Sequence, residues 1–174
     1  SRQTLHLYTE LRHAINRREL VLHYQPIIAL DTGTITGLEA LVRWRHPTRG
    51  MVPPGEFIGV AEETGLIHPL GGWVLQEACA HAKWLEGRFP KLRLDMSINL
   101  SPRQLARTEI VDDVQQALAR AGLRGGALHL EITETTLMEN MAAAKDRLRQ
   151  LRSLGVGLLI DDFGTGYSSL SALH

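Results

Sequence analysis

The chain predicts an α/β fold whose parallel strands enclose a polar interior, and three observations lead there. Strand-like and helix-like patterns alternate over residues 92–161 in units of about 30 residues, the length of a parallel-strand crossover. Two earlier β-rich runs, 20–30 and 34–44, are joined by Asp31-Thr32-Gly33, a tight turn that makes them antiparallel neighbours. The strands are also two-faced. Leu92, Leu94, Met96, Ile98 and Leu100 share one face and Arg93, Asp95, Ser97 and Asn99 the other; Leu128, Leu130 and Ile132 likewise oppose His129, Glu131 and Thr133. A doubly wound sheet, covered by helices on both sides, reads as apolar throughout. A barrel with a polar inner surface fits better, and its active site belongs at the C-terminal rim of the strands.

Taken in order, the elements begin with a helix over about 8–18, where Leu7, Leu11 and Ile15 recur at spacing four. The hairpin follows. Residues 54–63 and 70–86 read as helices, the second marked by Leu70, Trp73, Val74, Glu77 and Trp84. After strand 92–100, Pro102 opens a helix with Val111, Val114, Leu118 and Ala121 on one stripe, closed by Gly122. Strand 128–134 leads to a helix over about 138–154, with Met141, Ala144, Leu148 and Leu151 on one face and a stop at Gly155. Strand 156–161 comes last, followed by a Gly- and Ser-rich segment.

The 174 residues suffice for one domain, and 44% apolar with 22% charged residues is an ordinary globular composition. Nineteen basic residues balance nineteen acidic ones, which argues against a surface for nucleic-acid polymers. No apolar run approaches the roughly 18 residues of a spanning helix, and no signal peptide is evident. The single cysteine, Cys79, fits a reducing compartment and reads as a core thiol. Trp73 and Trp84 read as packing residues. The eight histidines read as core or surface residues, without a metal pair at helical spacing. Gly164-Thr165-Gly166 is a turn.

Glu39, Asn99, Glu131 and Asp161 each fall at or near the end of a different predicted strand, and Asp162 adjoins the last. Singly, such residues read as helix caps or solvated loop positions. Together they form a set of hard oxygen donors suited to Mg²⁺ or Mn²⁺. Asp161 and Asp162 could serve two ions about 4 Å apart, the arrangement that clamps a phosphodiester and activates water.

At these residues the sequence resembles the EAL family of cyclic di-GMP phosphodiesterases. Glu39-Ala40-Leu41 stands within Gly-Leu-Glu-Ala-Leu-Val-Arg-Trp, preceded by Tyr24-Gln25-Pro26-Ile27. Then come Pro53-Pro54-Gly55-Glu56-Phe57-Ile58, Asn99-Leu100-Ser101-Pro102, Glu131-Ile132-Thr133-Glu134-Thr135 and Asp161-Asp162-Phe163-Gly164-Thr165-Gly166. The match covers the whole chain, so that residues 1–174 are expected to be EAL domain. The resemblance implies a modified TIM-like (β/α)8 barrel with one antiparallel strand, truncated here after about the fifth or sixth strand. It makes Glu39, Asn99, Glu131, Asp161 and Asp162 the ligands of two Mg²⁺ or Mn²⁺ ions, with Glu39, Asp161 and Asp162 acting catalytically through them. Gln25, Leu41 and Arg43 would line the substrate groove, and Glu134 would organise the loop after Asp162. The product would be linear pGpG.

The same resemblance expects further strands bearing a lysine near the attacking water, a glutamate that helps activate the site and a glutamine that contacts guanine; without them the isolated 174 residues are expected to bind metal poorly and turn over little. A start without methionine suggests a domain from a longer protein. The resemblance implies a sensory or GGDEF cyclase domain upstream and a homodimeric state, and with the single cysteine it points to a cytoplasmic location, including the cytoplasmic part of a membrane-anchored protein. The alternatives are a non-catalytic cyclic di-GMP receptor and a dimerisation module of a larger signalling protein.

Overall fold

A computed structural model of the chain describes residues 1–139 and 141–161, with the backbone alone at 139 and 161. Helix α1 (Arg2–Asn16) leads into the hairpin β1 (Leu20–Ile28) and β2 (Ile35–His46), followed by a short strand β3 (Gly50–Val52). Helices α2 (Pro54–Thr64) and α3 (Ile67–Arg88) precede β4 (Asp95–Asn99). Then come α4 (Pro102–Ala106), α5 (Ile110–Ala121), β5 (Leu128–Thr133), α6 (Glu134–Glu139), α7 (Met141–Ser153) and β6 (Gly157–Asp161).

All six strands form one sheet in the order β1-β2-β4-β5-β6, with β3 on the far end of β2. The β1–β2 and β2–β3 pairs are antiparallel, and β2–β4, β4–β5 and β5–β6 are parallel. This mixed sheet is the predicted barrel wall, with β1 its reversed strand and the short β3 also running against β2. The turn between β1 and β2 closes through Gly33 N–H to Ala29 O at 2.8 Å and Ala29 N–H to Thr34 O at 2.9 Å. Gly33 supplies the left-handed φ of 68° that this turn needs.

The apolar face of the strands carries the main core. Ala40, Met96, Ile98, Leu130 and Ile132 pack with Val74, Leu75, Ala78 and Cys79 of α3 and with Val114, Ala117 and Leu118 of α5. Both helices repeat their buried residues at three- and four-residue intervals, the stripe expected of a helix lying on a sheet. Burying each large aliphatic side chain here contributes about 1.5–3 kcal/mol. A second cluster joins α1, α2 and the end of β2 through Leu11, Ala14, Trp44, Phe57 and Ala61. Trp44 meets Phe57 edge to face at 5.8 Å and donates its indole N–H to Glu19 Oε2 at 3.0 Å.

Four local expectations change. The first helix begins at Arg2, because Ser1 caps it by accepting from Thr4 N–H. The expected strand 92–100 shortens to Asp95–Asn99; Leu92 instead closes a turn onto Phe89 O at 2.9 Å and is 52% exposed. The helix expected from Pro102 divides into α4 and α5, since Arg107 turns extended at φ −81°, ψ 136°. Trp84, expected to pack, is 62% exposed: it sits on the solvent side of α3, opposite the buried stripe.

Candidate active site

The inner face of the sheet is set by register. Side chains at paired positions of neighbouring strands point the same way. Gln25 pairs with Glu39 across the hairpin, and Glu39 pairs with Ser97 of β4. Asn99 pairs with Glu131 of β5, and Thr133 pairs with Asp161 of β6. Glu39, Asn99 and Glu131 therefore share one face and climb it diagonally. Asn99 lies one same-face step beyond the partner of Glu39, and Asp161 pairs one same-face step beyond Glu131.

This corrects one expectation. Only Asn99 and Asp161 close their strands; Glu39 is the fifth residue of a twelve-residue strand. Strand tilt in a barrel produces such a stagger. Asp162, and the loop that Glu134 was expected to organise, lie outside the described residues. Glu134 itself opens α6 directly after β5, where Thr133 Oγ1 accepts from Thr136 N–H at 3.3 Å and so caps that helix.

Burial separates the donors. Glu39 is 7% exposed, Glu131 6% and Ser97 1%, whereas Asn99 stands exposed at the strand end. Among the described residues no cation pairs with Glu39, and the Ser97 hydroxyl is buried without a hydrogen-bond partner. A buried carboxylate left in this state is costly, and a bound cation offsets that cost. Among the described residues no group of three His, Cys, Asp or Glu side chains gathers closely enough to hold a metal ion. What they do offer is two buried carboxylates and an adjacent amide on one face. This all-oxygen donor set fits Mg²⁺ or Mn²⁺.

Towards the C-terminal ends of β2, β4 and β5 lies a cavity of about 340 Å³, lined by residues from both faces of these strands and by α2 and α3. Leu41, Arg43, Asn99 and Glu131 line it, as do Ile58 and Glu62 from α2. The structure thus gathers four of the predicted residues in one cavity. Glu39 lies a step below, and Gln25 is across the hairpin, exposed on β1. Arg43 is half-buried and donates through Nη1 to Val42 O at 2.9 Å, which fixes its stem while further N–H groups remain available for an anion. Tyr24, next to Gln25 but on the opposite face, is hydrogen-bonded to His81 Nδ1 of α3. Burial, then the nearby Glu77, pushes the phenol well above its ordinary range. That bond holds β1 to α3 and presents Gln25 inward.

Three contributors were missed from the sequence. Glu62 was legible as the helical neighbour of Ile58 at spacing four. Ser101 and Gln104 form a capping box at the start of α4, and Ser-Pro-Arg-Gln is the pattern that signals one. Pro102 marks the same helix start but carries no sign of the side-chain box.

A family model described as EAL domain matches residues 9–174. The chain is 47% identical over 171 residues to the bifunctional diguanylate cyclase/cyclic di-GMP phosphodiesterase MucR of Pseudomonas aeruginosa, covering 98% of this chain and 25% of that protein. It is 48% identical over 172 residues to the cyclic di-GMP phosphodiesterase NbdA of the same organism, covering 99% of this chain and 22% of that one. The cyclic di-GMP phosphodiesterase PdeR of Escherichia coli is 44% identical over 170 residues, covering 97% and 25%. The chain thus spans a quarter or less of the length of these relatives. Among solved structures, a MucR phosphodiesterase of Pseudomonas aeruginosa in complex with c-di-GMP matches with a TM-score of 0.86 at 47% identity, covering 94% of this chain and 66% of that one. An EAL enzyme, Bd1971, in its cAMP- and cyclic-di-GMP-bound form matches at 0.86 with 36% identity, covering 95% and 46%. The TIM-like barrel wall described above is the fold these structures share.

Proposed function

Because the chain belongs to the EAL domain family, we propose that it supplies the metal-binding wall of a cyclic di-GMP phosphodiesterase that releases linear pGpG. One observation carries this reading: Glu39, Asn99 and Glu131 lie in linked register on one face, beside a cavity that Arg43 also lines. That MucR, NbdA and PdeR are cyclic di-GMP phosphodiesterases supports the choice of substrate.

Glu39, Asn99 and Glu131, with Asp161 and Asp162, would hold two Mg²⁺ or Mn²⁺ ions. When bound, these supply charge neutralisation at the phosphodiester and a lowered water pKa. Arg43 would grip a phosphate oxygen from the cavity wall by a charge-assisted hydrogen bond. Leu41 and Gln25 would border the groove, Leu41 contributing apolar contact and Gln25 amide hydrogen bonds. Burial of Glu39 and Glu131 keeps bulk water from competing for their oxygens. Glu134 would brace the segment that follows β6.

The relatives are much longer than this chain. We therefore propose that the activity belongs to a longer protein with regulatory or cyclase domains; a homodimeric state and a cytoplasmic location are part of the same proposal. Among the described residues no helix is long and apolar enough to cross a membrane.

The test is to incubate that full-length protein with cyclic di-GMP and Mg²⁺ or Mn²⁺, and to repeat it with Glu39→Ala. Metal-dependent pGpG formation lost in the variant is expected. Binding without turnover would move the reading to a receptor, and turnover surviving Glu39→Ala would remove Glu39 from the ligand set.

A further inference from the structure

Asn99 is the last residue of β4 and stands exposed, so nothing within the strand fixes the direction of its amide. The turn that follows does. Leu100 N–H donates to Glu131 O at 2.8 Å, extending the β4–β5 ladder one residue past Asn99. Ser101 N–H then donates to Gln104 Oε1 at 3.0 Å, and Gln104 N–H donates to Ser101 Oγ at 3.3 Å. The Gln104 side chain is 6% exposed. It reaches back over the turn and lies against α3, where residue 71 is a buried glycine. A Cβ at position 71 would sit 1.9 Å from Gln104 Nε2 and 2.9 Å from its Cδ. The amide is tied at its oxygen to Ser101 N–H, so it cannot swing aside without opening the box. Gly71, Asn99, Ser101 and Gln104 all line the one cavity.

We propose that Gln104 is a positioning residue for Asn99. Seated in the slot that Gly71 leaves on α3, it locks the Leu100–Ser101 turn and thereby aims the Asn99 side chain along the donor diagonal. This rests on the reading of Asn99 as a metal ligand. Such outer contacts typically govern about 10–100-fold in metal affinity.

The test uses the full-length protein and two readouts independent of turnover: Mn²⁺ affinity from the free-ion electron paramagnetic resonance signal, and Tm. Gln104→Ala is expected to weaken Mn²⁺ binding about tenfold, and Gln104→Glu, which can still close a capping box, to recover most of it. Gly71→Ala should reproduce the Gln104→Ala defect, and the double variant should be little worse than either alone. Ser101→Ala removes only the hydroxyl half of the box; it should lower Tm while leaving Mn²⁺ affinity near wild type, and it stays informative should Gln104→Ala fail to fold.

The control is Asn99→Ala. If Asn99→Ala weakens Mn²⁺ binding but folded Gln104→Ala and Gly71→Ala do not, the positioning role is overturned while the ligand reading stands. If Ser101→Ala loses affinity in step with its Tm, the box is a stability device only and the proposal fails. If Asn99→Ala itself binds Mn²⁺ normally, the ligand reading falls and the proposal with it.

Discussion

Asn99 of β4 and Glu131 of β5 stand directly opposite each other in parallel register, so their backbones are about 4.8 Å apart. One is exposed at the strand end and the other is 6% exposed, yet both line the same cavity. An amide and a carboxylate at that spacing can share one divalent ion without mutual repulsion. Glu131→Gln keeps the shape and removes the charge. Its rate of cyclic di-GMP hydrolysis is expected to fall about 100-fold, with weaker Mn²⁺ binding, the upper range for disturbed metal sites. A wild-type rate would take Glu131 out of the site.

Metal should stabilise the fold as well as the reaction. An ion that binds only the native state, present at a hundredfold excess over its Kd, adds about 2.7 kcal/mol. Thermal melts with Mn²⁺ against chelator should therefore separate by several degrees. Glu39→Gln should lose most of that separation, and an undiminished shift in the variant would argue that Glu39 is not a ligand.

Arg43 lines the cavity and is proposed to hold a substrate phosphate. Arg43→Ala is expected to raise KM for cyclic di-GMP by about tenfold, the loss of one charge-assisted hydrogen bond, with Mn²⁺ affinity unchanged. Arg43→Lys should recover only part, since the guanidinium fork is lost. Steady-state kinetics at saturating metal decides it; a change confined to metal affinity would contradict the assignment.

His46 is 7% exposed and works as a clasp. Its Nδ1 accepts from Thr48 N–H and Arg49 N–H, each at 3.2 Å, and its Nε2 lies 3.2 Å from Glu10 Oε1 of α1. His46→Ala removes the acceptor of two backbone donors and one of the two histidines paired with Glu10. Urea denaturation should show a loss of about 2 kcal/mol, with little effect on Mn²⁺ affinity.

Burial pushes the Cys79 thiol up from its ordinary value of 9.0 to about 11. The folded state therefore holds its proton more tightly than the unfolded chain does. The stability this contributes is whole below about pH 9 and is lost as pH rises towards 11. At pH 8 the native protein should resist iodoacetamide, and the thiol should react only under unfolding conditions. Rapid alkylation of native protein would contradict its place in the core.

Much of the fold was legible because its signals are local. Asp31-Thr32-Gly33 announced the hairpin, Gly122 marked a helix end that the structure closes at φ 67°, and the alternation through Asp95, Ser97 and Asn99 marked a polar face. The depth of Glu39 within β2 was not legible. Alternation says which face a residue takes, while depth depends on how far pairing extends, and here β3 adds partners beyond Trp44. Nor could periodicity separate α4 from α5, because the break at Arg107 follows a cap contact with its neighbours rather than a change of apolar stripe. The exposure of Trp84 escaped for a related reason: a large apolar residue suggests packing, but only the rotation of α3 on the sheet decides its side.

The diagonal of donors also bears on how this sequence can drift. Side chains alternate sides with every residue, so gaining or losing a single residue within β5 would exchange Glu131 for Ile132 and line the cavity with a different chemistry. The stretch from 107 to 109 and the turn at 122–127 could change length with far less effect. Length variation among descendants of this chain should therefore collect between the elements, while β4 and β5 keep their residue count even where individual residues are replaced.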